Sequence, residues 1–245
     1  MPMAARAEGP ACDAPFDLIR FANPLTHLAE RLASNAPITI VAIGSSSTAG
    51  TGASSPAATY PSRLQVELTQ HFPGHAITVI NRGVGGEEVP QMLKRFDSAV
   101  IAAKPDLVLW QLGTNSVLRD HQVGDHGASI RVGLGKIRTI GADVVLIDPQ
   151  YAPKVIAKPE AAHMVELIAE TAKLENIDLF PRYDVMKRWY DVDHMKFEAF
   201  VSPDGLHMND WSSACLAKAI GEAVAEAAQR PTLSATATAR VLYPE

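Results

Sequence analysis

One stretch constrains this chain more than any other: Ile38-Thr39-Ile40-Val41-Ala42-Ile43, running into Gly44-Ser45-Ser46-Ser47-Thr48. Five of the first six residues are apolar, and most are β-branched. Such a run predicts a strand covered on both faces. Gly44 lets the backbone turn without a Cβ clash. A serine just past the carboxyl end of a buried parallel strand stands where open α/β sheets place their ligands.

The same alternation repeats along the chain. Further strands are expected at 77–80, 106–112, 143–147 and 177–180. Between and around them, apolar residues at helical spacing predict helices at about 24–35, 60–71, 89–103, 128–140, 159–174, 184–190 and 210–228. Asn23-Pro24 reads as a cap residue and first helical proline. Strands alternating with helices imply an α/β fold, a three-layer α/β/α sandwich. Five strands at this spacing suit a flavodoxin-like parallel sheet of order 2-1-3-4-5. We divide the chain into an extended, poorly ordered arm at 1–17, one domain at 18–229, and a tail at 230–245. In the tail, Val241-Leu242-Tyr243 is apolar enough to dock on the body or a neighbour.

Composition narrows the function classes. The 245 residues, 47% hydrophobic, suffice for one large core. Lys and Arg number 22 against 27 Asp and Glu, a net charge of -5. With no basic stripe, nucleic-acid binding has no electrostatic support. No apolar run is long and uncharged enough to span a bilayer. Cys12 and Cys215 are either one disulfide or two unrelated thiols, the second buried on an apolar helix. Residues 1–14 lack the apolar core of a signal peptide. Cys12 beside an Ala/Pro-rich arm points to a trimmed exported protein, periplasmic or secreted; a cytoplasmic location is the alternative.

Parallel strands bring their carboxyl-end loops to one rim. There the sequence places Ser46 after the first strand, Gly86 after the second and Asn115 after the third. Asp204 and His207 precede the last helix. Acyl transfer needs a nucleophile, a base, a group that orients the base, and donors for the developing oxyanion. Ser46 fits the first role and His207 the second. Asp204, three residues earlier, can reach the imidazole Nδ1–H. The Ser46 and Gly86 N–H groups and the Asn115 amide fit the oxyanion hole.

These blocks resemble those of the SGNH (GDSL-type) hydrolases. Gly44-Ser45-Ser46-Ser47-Thr48 looks like that family's Gly-Asp-Ser-(Leu/Ile)-Thr block, and Asn81-Arg82-Gly83-Val84-Gly85-Gly86 like its second. Gly113-Thr114-Asn115-Ser116 looks like Gly-x-Asn-Asp, and Asp204-Gly205-Leu206-His207 matches Asp-x-x-His. Two aspartates of the pattern are serines here, Ser45 and Ser116; either serine replaces a structural hydrogen bond, or the substrate range is altered. The resemblance implies a three-layer domain, no metal, no nucleotide or other cofactor, and ester or thioester cleavage. It also implies a serine esterase acting on a short acyl group, acetyl above all, of a carbohydrate or other small ester. The alternatives are a carbohydrate O-acyltransferase with the same residues, a lipid or aryl esterase, and a carbohydrate-binding module without catalysis.

Other polar residues carry weaker signals. Asp191, Asp193 and His194 read as a solvated loop rather than a metal site. His121, His126 and His163 have no partner pattern. Asp148 and Tyr151 follow a strand on the same rim, as pocket lining or as a turn. Trp110 reads as core, while Trp189 and Trp211 suit pocket wall, sugar-stacking surface or core.

Overall fold

The structure, a computed structural model, describes residues 12–121 and 126–231. The arm at 1–11 and the tail from 232, with its Val-Leu-Tyr end, lie outside the described residues. In chain order the elements are α1 (Phe16–Ile19), α2 (Thr26–Ala33), β1 (Ile38–Gly44), α3 (Ser46–Ala49), α4 (Tyr60–His71), β2 (Ile77–Gly83), α5 (Val89–Lys94) and α6 (Phe96–Ala99). There follow β3 (Leu107–Gln111), α7 (Thr114–Leu118), α8 (His126–Arg138), β4 (Asp143–Ile147), α9 (Pro153–Ile156), α10 (Ala161–Leu174), β5 (Asp178–Phe180), α11 (Arg182–Asp191), α12 (Phe197–Phe200) and α13 (Asp210–Gln229).

The five strands pair in parallel in the expected order, β2-β1-β3-β4-β5. β1 is central in function and in packing. Its Ile40, Val41, Ala42 and Ile43 are wholly buried, as is every residue of β3. On one face α4 packs against α13; on the other, α8 packs against α5 and α10. Right-handed crossovers from a strand order that reverses at β1 produce this two-sided cover.

Several boundaries differ from expectation, each for a tertiary reason. α1 starts inside the stretch read as an extended arm, and Cys12 is bridged to Cys215 of α13. α2 begins at Thr26 rather than at Pro24. Asn23 instead donates its backbone and side-chain N–H to Asp178. The Asp143 carboxylate accepts the Leu28 N–H at 2.9 Å, doing the work of a cap from another element. Asp106 takes His27 at 3.0 Å and Arg31 at 3.1 Å. Three aspartates at the amino ends of β3, β4 and β5 thus hold the segment around α2. Burial pushes Asp143 and Asp178 above the usual carboxylate range, against the N–H groups that bond them.

The helix expected over 89–103 is broken at Arg95 into α5, α6 and a short 3-10 turn. At this break the Arg95 side chain turns back to hold Glu87 at 2.5 Å. The Gly44–Ala58 loop contains α3 and another 3-10 turn, and Asn115 sits in α7 rather than in a loop.

Candidate active site

Ser46 is the first residue of α3, directly after β1. Three contacts fix that four-residue helix. Below it, the buried Gln111 side chain accepts through Oε1 from the Ser45 N–H at 2.9 Å, the Ser45 hydroxyl at 3.1 Å and Thr48 Oγ1 at 3.3 Å. Tyr60 meets Thr48 Oγ1 at 3.1 Å, and burial pushes its phenol up to about 12. Beside it, Asn81 donates Nδ2 to the Thr48 carbonyl at 2.7 Å. Gly83 lets the end of β2 pass under α3; a Cβ there would lie 2.1 Å from the Ala49 nitrogen. We therefore expect Gly83→Ala to displace α3, lowering kcat about 10²-fold and destabilising the fold by about 1–3 kcal/mol. Ester hydrolysis alongside a thermal melt checks this; wild-type turnover would show that α3 absorbs the shift.

Asp204 and His207, the pair expected on this rim, come from the loop before α13. Asp204 Oδ1 accepts the N–H groups of Leu206 at 2.9 Å and His207 at 3.0 Å, closing a turn on itself. Its Oδ2 lies 2.5 Å from His207 Nδ1. His207 Nε2 lies 2.8 Å from Ser46 Oγ. The loop is held from outside: Ser202 donates its N–H to the His207 carbonyl at 2.7 Å, and Lys154 does so to Gly205 at 3.0 Å. Val201 and Met208 form an antiparallel bridge at its base. Burial opposes the Asp204 charge, but the His207 side chain and two backbone N–H groups hold the carboxyl below its usual range. His207 is only 8% exposed, while Ser46 is half-buried and open to a ligand. Gly52 brings the loop after α3 against this turn; a Cβ would meet the Met208 carbonyl at 2.3 Å.

The residue types and spacing suit nucleophilic acyl transfer. Residues 11–230 match the non-GDSL lipase-like family. The chain belongs to that family. An arylesterase of Vibrio mimicus is 26% identical over 149 residues, 60% of this chain and 69% of the relative. Among solved structures, a two-domain esterase active on acetylated mannans superposes with a TM-score of 0.76 at 20% identity. That match covers 95% of this chain and 61% of the other, so this chain spans less than two thirds of it. An acetylxylan esterase from Geobacillus stearothermophilus superposes at 0.65 and 20% identity, over 76% of this chain and 94% of the other. At these identities the superpositions establish the fold.

Membership of a lipase-like family described as non-GDSL agrees with the two departures in the blocks. Ser45 stands where the GDSL pattern has aspartate, and both its N–H and its hydroxyl bond Gln111. Ser116, in the other aspartate position, donates to Glu88 Oε2 at 2.9 Å. Both serines are buried and bonded, as structural replacements should be.

Gly86 and Asn115 face each other across the same rim. Asn115 donates one Nδ2 hydrogen to the Glu87 carbonyl at 2.8 Å, leaving the other free in direction. The Gly86 N–H has no backbone acceptor among the described residues. As the first residue of a helix, Ser46 also has an N–H without an intrahelical partner.

Several polar residues that matter here carried no signal in the sequence. Glu88 is buried and receives Ser116, Arg119 and His121, the last at 2.9 Å. Burial pushes its carboxyl up, but these three partners together hold it below its usual range. Its partners lie 28 to 33 positions further along the chain, so only tertiary contact reveals it. Arg182 is wholly buried, donating to the Asp148 carbonyl and to Gln150 Oε1, both at 2.9 Å. Gln150 in turn donates to the Leu206 carbonyl at 3.2 Å, tying this interior network to the His207 turn.

Asp148 does not line a pocket. It is fully buried, accepts the Tyr183 N–H at 2.8 Å, and is pushed up to about 8 by burial. Tyr151 is half-buried among Tyr183, Tyr190 and Phe197. Trp110 and Trp189 are core, with Trp211 packed edge-on against Trp189. Asp191 and Asp193 pair with Lys187 and Arg188.

Proposed function

We propose that this protein is a serine esterase that removes a short acyl group, acetyl foremost, from a carbohydrate through an acyl-enzyme. The observation that carries the proposal is His207, hydrogen-bonded to Ser46 Oγ through one ring nitrogen and to Asp204 through the other. A serine hydroxyl is a weak nucleophile until an oriented imidazole takes its proton. In the first step Ser46 Oγ attacks the ester carbonyl and its proton passes to His207 Nε2. The negative charge on the carbonyl oxygen is met by the Ser46 and Gly86 N–H groups and the free Asn115 amide hydrogen. Collapse expels the alcohol, which takes the proton from His207. Water then repeats the sequence on the acyl-enzyme, releasing the acid and returning the proton to Ser46. Asp204 stabilises the imidazolium in both halves.

The carbohydrate and the acetyl group are supported by the solved relatives, described as acting on acetylated mannans and xylan. An oxidising compartment outside the cytoplasm is supported by the Cys12–Cys215 bridge. The test is hydrolysis of p-nitrophenyl esters from acetyl to long acyl, followed by acetylated oligosaccharides. Activity on acetyl should fall with chain length, and Ser46→Ala should lower kcat about 10⁶-fold with an unchanged melt. Turnover retained in that variant removes Ser46 as the nucleophile.

A further inference from the structure

We infer that Arg119 is a positioning residue for the oxyanion hole, because it fixes the carbonyl of Gly86 relative to the helix that carries Asn115. The inference rests on the esterase reading above and concerns a residue that reading does not use. Three consecutive residues of the loop after β2 are each pinned by a partner at 115–121. The Gly86 carbonyl accepts from Arg119 Nη2 at 2.8 Å. The Glu87 carbonyl accepts from Asn115 Nδ2 at 2.8 Å. The Glu88 carboxylate accepts from Ser116, Arg119 and His121.

The chemistry of the guanidinium is what this place needs. Gly86 is exposed and sits at φ +78°, one of the many backbone conformations open to a glycine. Its N–H can serve as an oxyanion donor only if the neighbouring peptides stop rotating. Arg119 spans two acceptors at once: Nη1 on the buried Glu88 carboxylate and Nη2 on the Gly86 carbonyl. A planar fork does this and a single ammonium does not. Glu88 is in turn fixed at the start of α5, where its side chain and that of Gln91 form a reciprocal cap. The two outer donors of the hole are thereby locked to one another, through Asn115 on one side and Arg119 on the other. Since the bonds of Arg119 go to the Gly86 carbonyl and the Glu88 carboxylate, its loss should act on turnover.

The experiment compares wild type, Arg119→Ala and Arg119→Lys on p-nitrophenyl acetate. It also follows the rate at which diethyl p-nitrophenyl phosphate modifies Ser46. That reaction develops the same oxyanion charge and needs no turnover, so it reads the hole even if no ester is hydrolysed. Arg119→Ala should lower kcat and the phosphorylation rate about 10–100-fold, with KM within about threefold of wild type. Millimolar guanidinium, far below denaturing concentration, should restore part of the loss; Arg119→Lys should fall between. Wild-type rates in Arg119→Ala, or a loss confined to KM, overturn the inference. Should Arg119→Ala fail to fold, Arg119→Lys decides by the same two rates. A wild type inert to every ester but modified by the phosphate rejects the esterase reading and leaves this inference to be judged on the phosphorylation rates.

Discussion

Asp204→Asn is expected to lower kcat about 10⁴-fold at neutral pH while the protein keeps its fold. The geometry explains why so small a change should cost so much. Oδ1 of Asp204 is committed to two backbone N–H groups, so an asparagine oxygen fits there without rearrangement. The amide nitrogen then replaces Oδ2 opposite His207 Nδ1, at 2.5 Å in the native protein. An amide nitrogen donates, so Nδ1 must accept, and the ring proton moves to Nε2. That nitrogen faces Ser46 Oγ, and once protonated it can no longer take the serine proton. Turnover across pH, with a thermal melt as control, checks this. A loss below about tenfold would remove Asp204 from its role. Stability carries a second signature. The carboxyl is held below its usual range in the folded chain, so its ionisation favours the folded state at neutral pH. That contribution is present above the unfolded-chain value and lost as the pH falls through the folded one. The stability difference between wild type and variant should therefore narrow in strong acid.

Cys12→Ala is expected to lower the melting temperature by about 5–15 °C without altering the kcat of the folded protein. The bridge to Cys215 spans 203 positions, so it constrains the unfolded chain strongly. Removing such a cross-link costs about 2–4 kcal/mol in typical cases, and each kcal/mol shifts the melt of a chain this size by about 2–4 °C. The bridge also anchors the segment that inserts Ile19, Phe21 and Leu25 into the core. Other bonds share that duty: Arg230 holds the Phe21 and Ala22 carbonyls, and Leu25 donates to the Ala227 carbonyl. This is why destabilisation is expected rather than loss of folding. None of these contacts reaches the carboxyl-edge loops. Melts of wild type with and without a reductant provide the same comparison; coincident melts would mean that the bridge contributes nothing.

How much of this was legible in the sequence follows from how local each feature is. Asp204 and His207 are three residues apart and close one turn, so spacing alone paired them. Ser46 follows a strand whose β-branched run is unmistakable, and parallel topology carried it to the same rim as the pair. The strand order followed from the alternation of elements. What the sequence did not reveal depends on contacts between distant segments. Glu88 joins Arg119 and His121 across more than thirty positions. Arg182 is charged, yet wholly buried, because Asp148 and Gln150 meet it in the interior. Asp106, Asp143 and Asp178 read as strand residues, and only the docked α2 segment shows what they hold.

Asp204 and His207 share one short loop, closed at its base by Val201 and Met208, while Ser46, the proposed nucleophile, belongs to a helix 161 positions before His207. Two separately built segments thus meet at the 2.8 Å contact between His207 and Ser46, with Gly52 of the loop after α3 packed against the same turn. Displacing either segment opens that contact and leaves the Asp204–His207 pair internally whole.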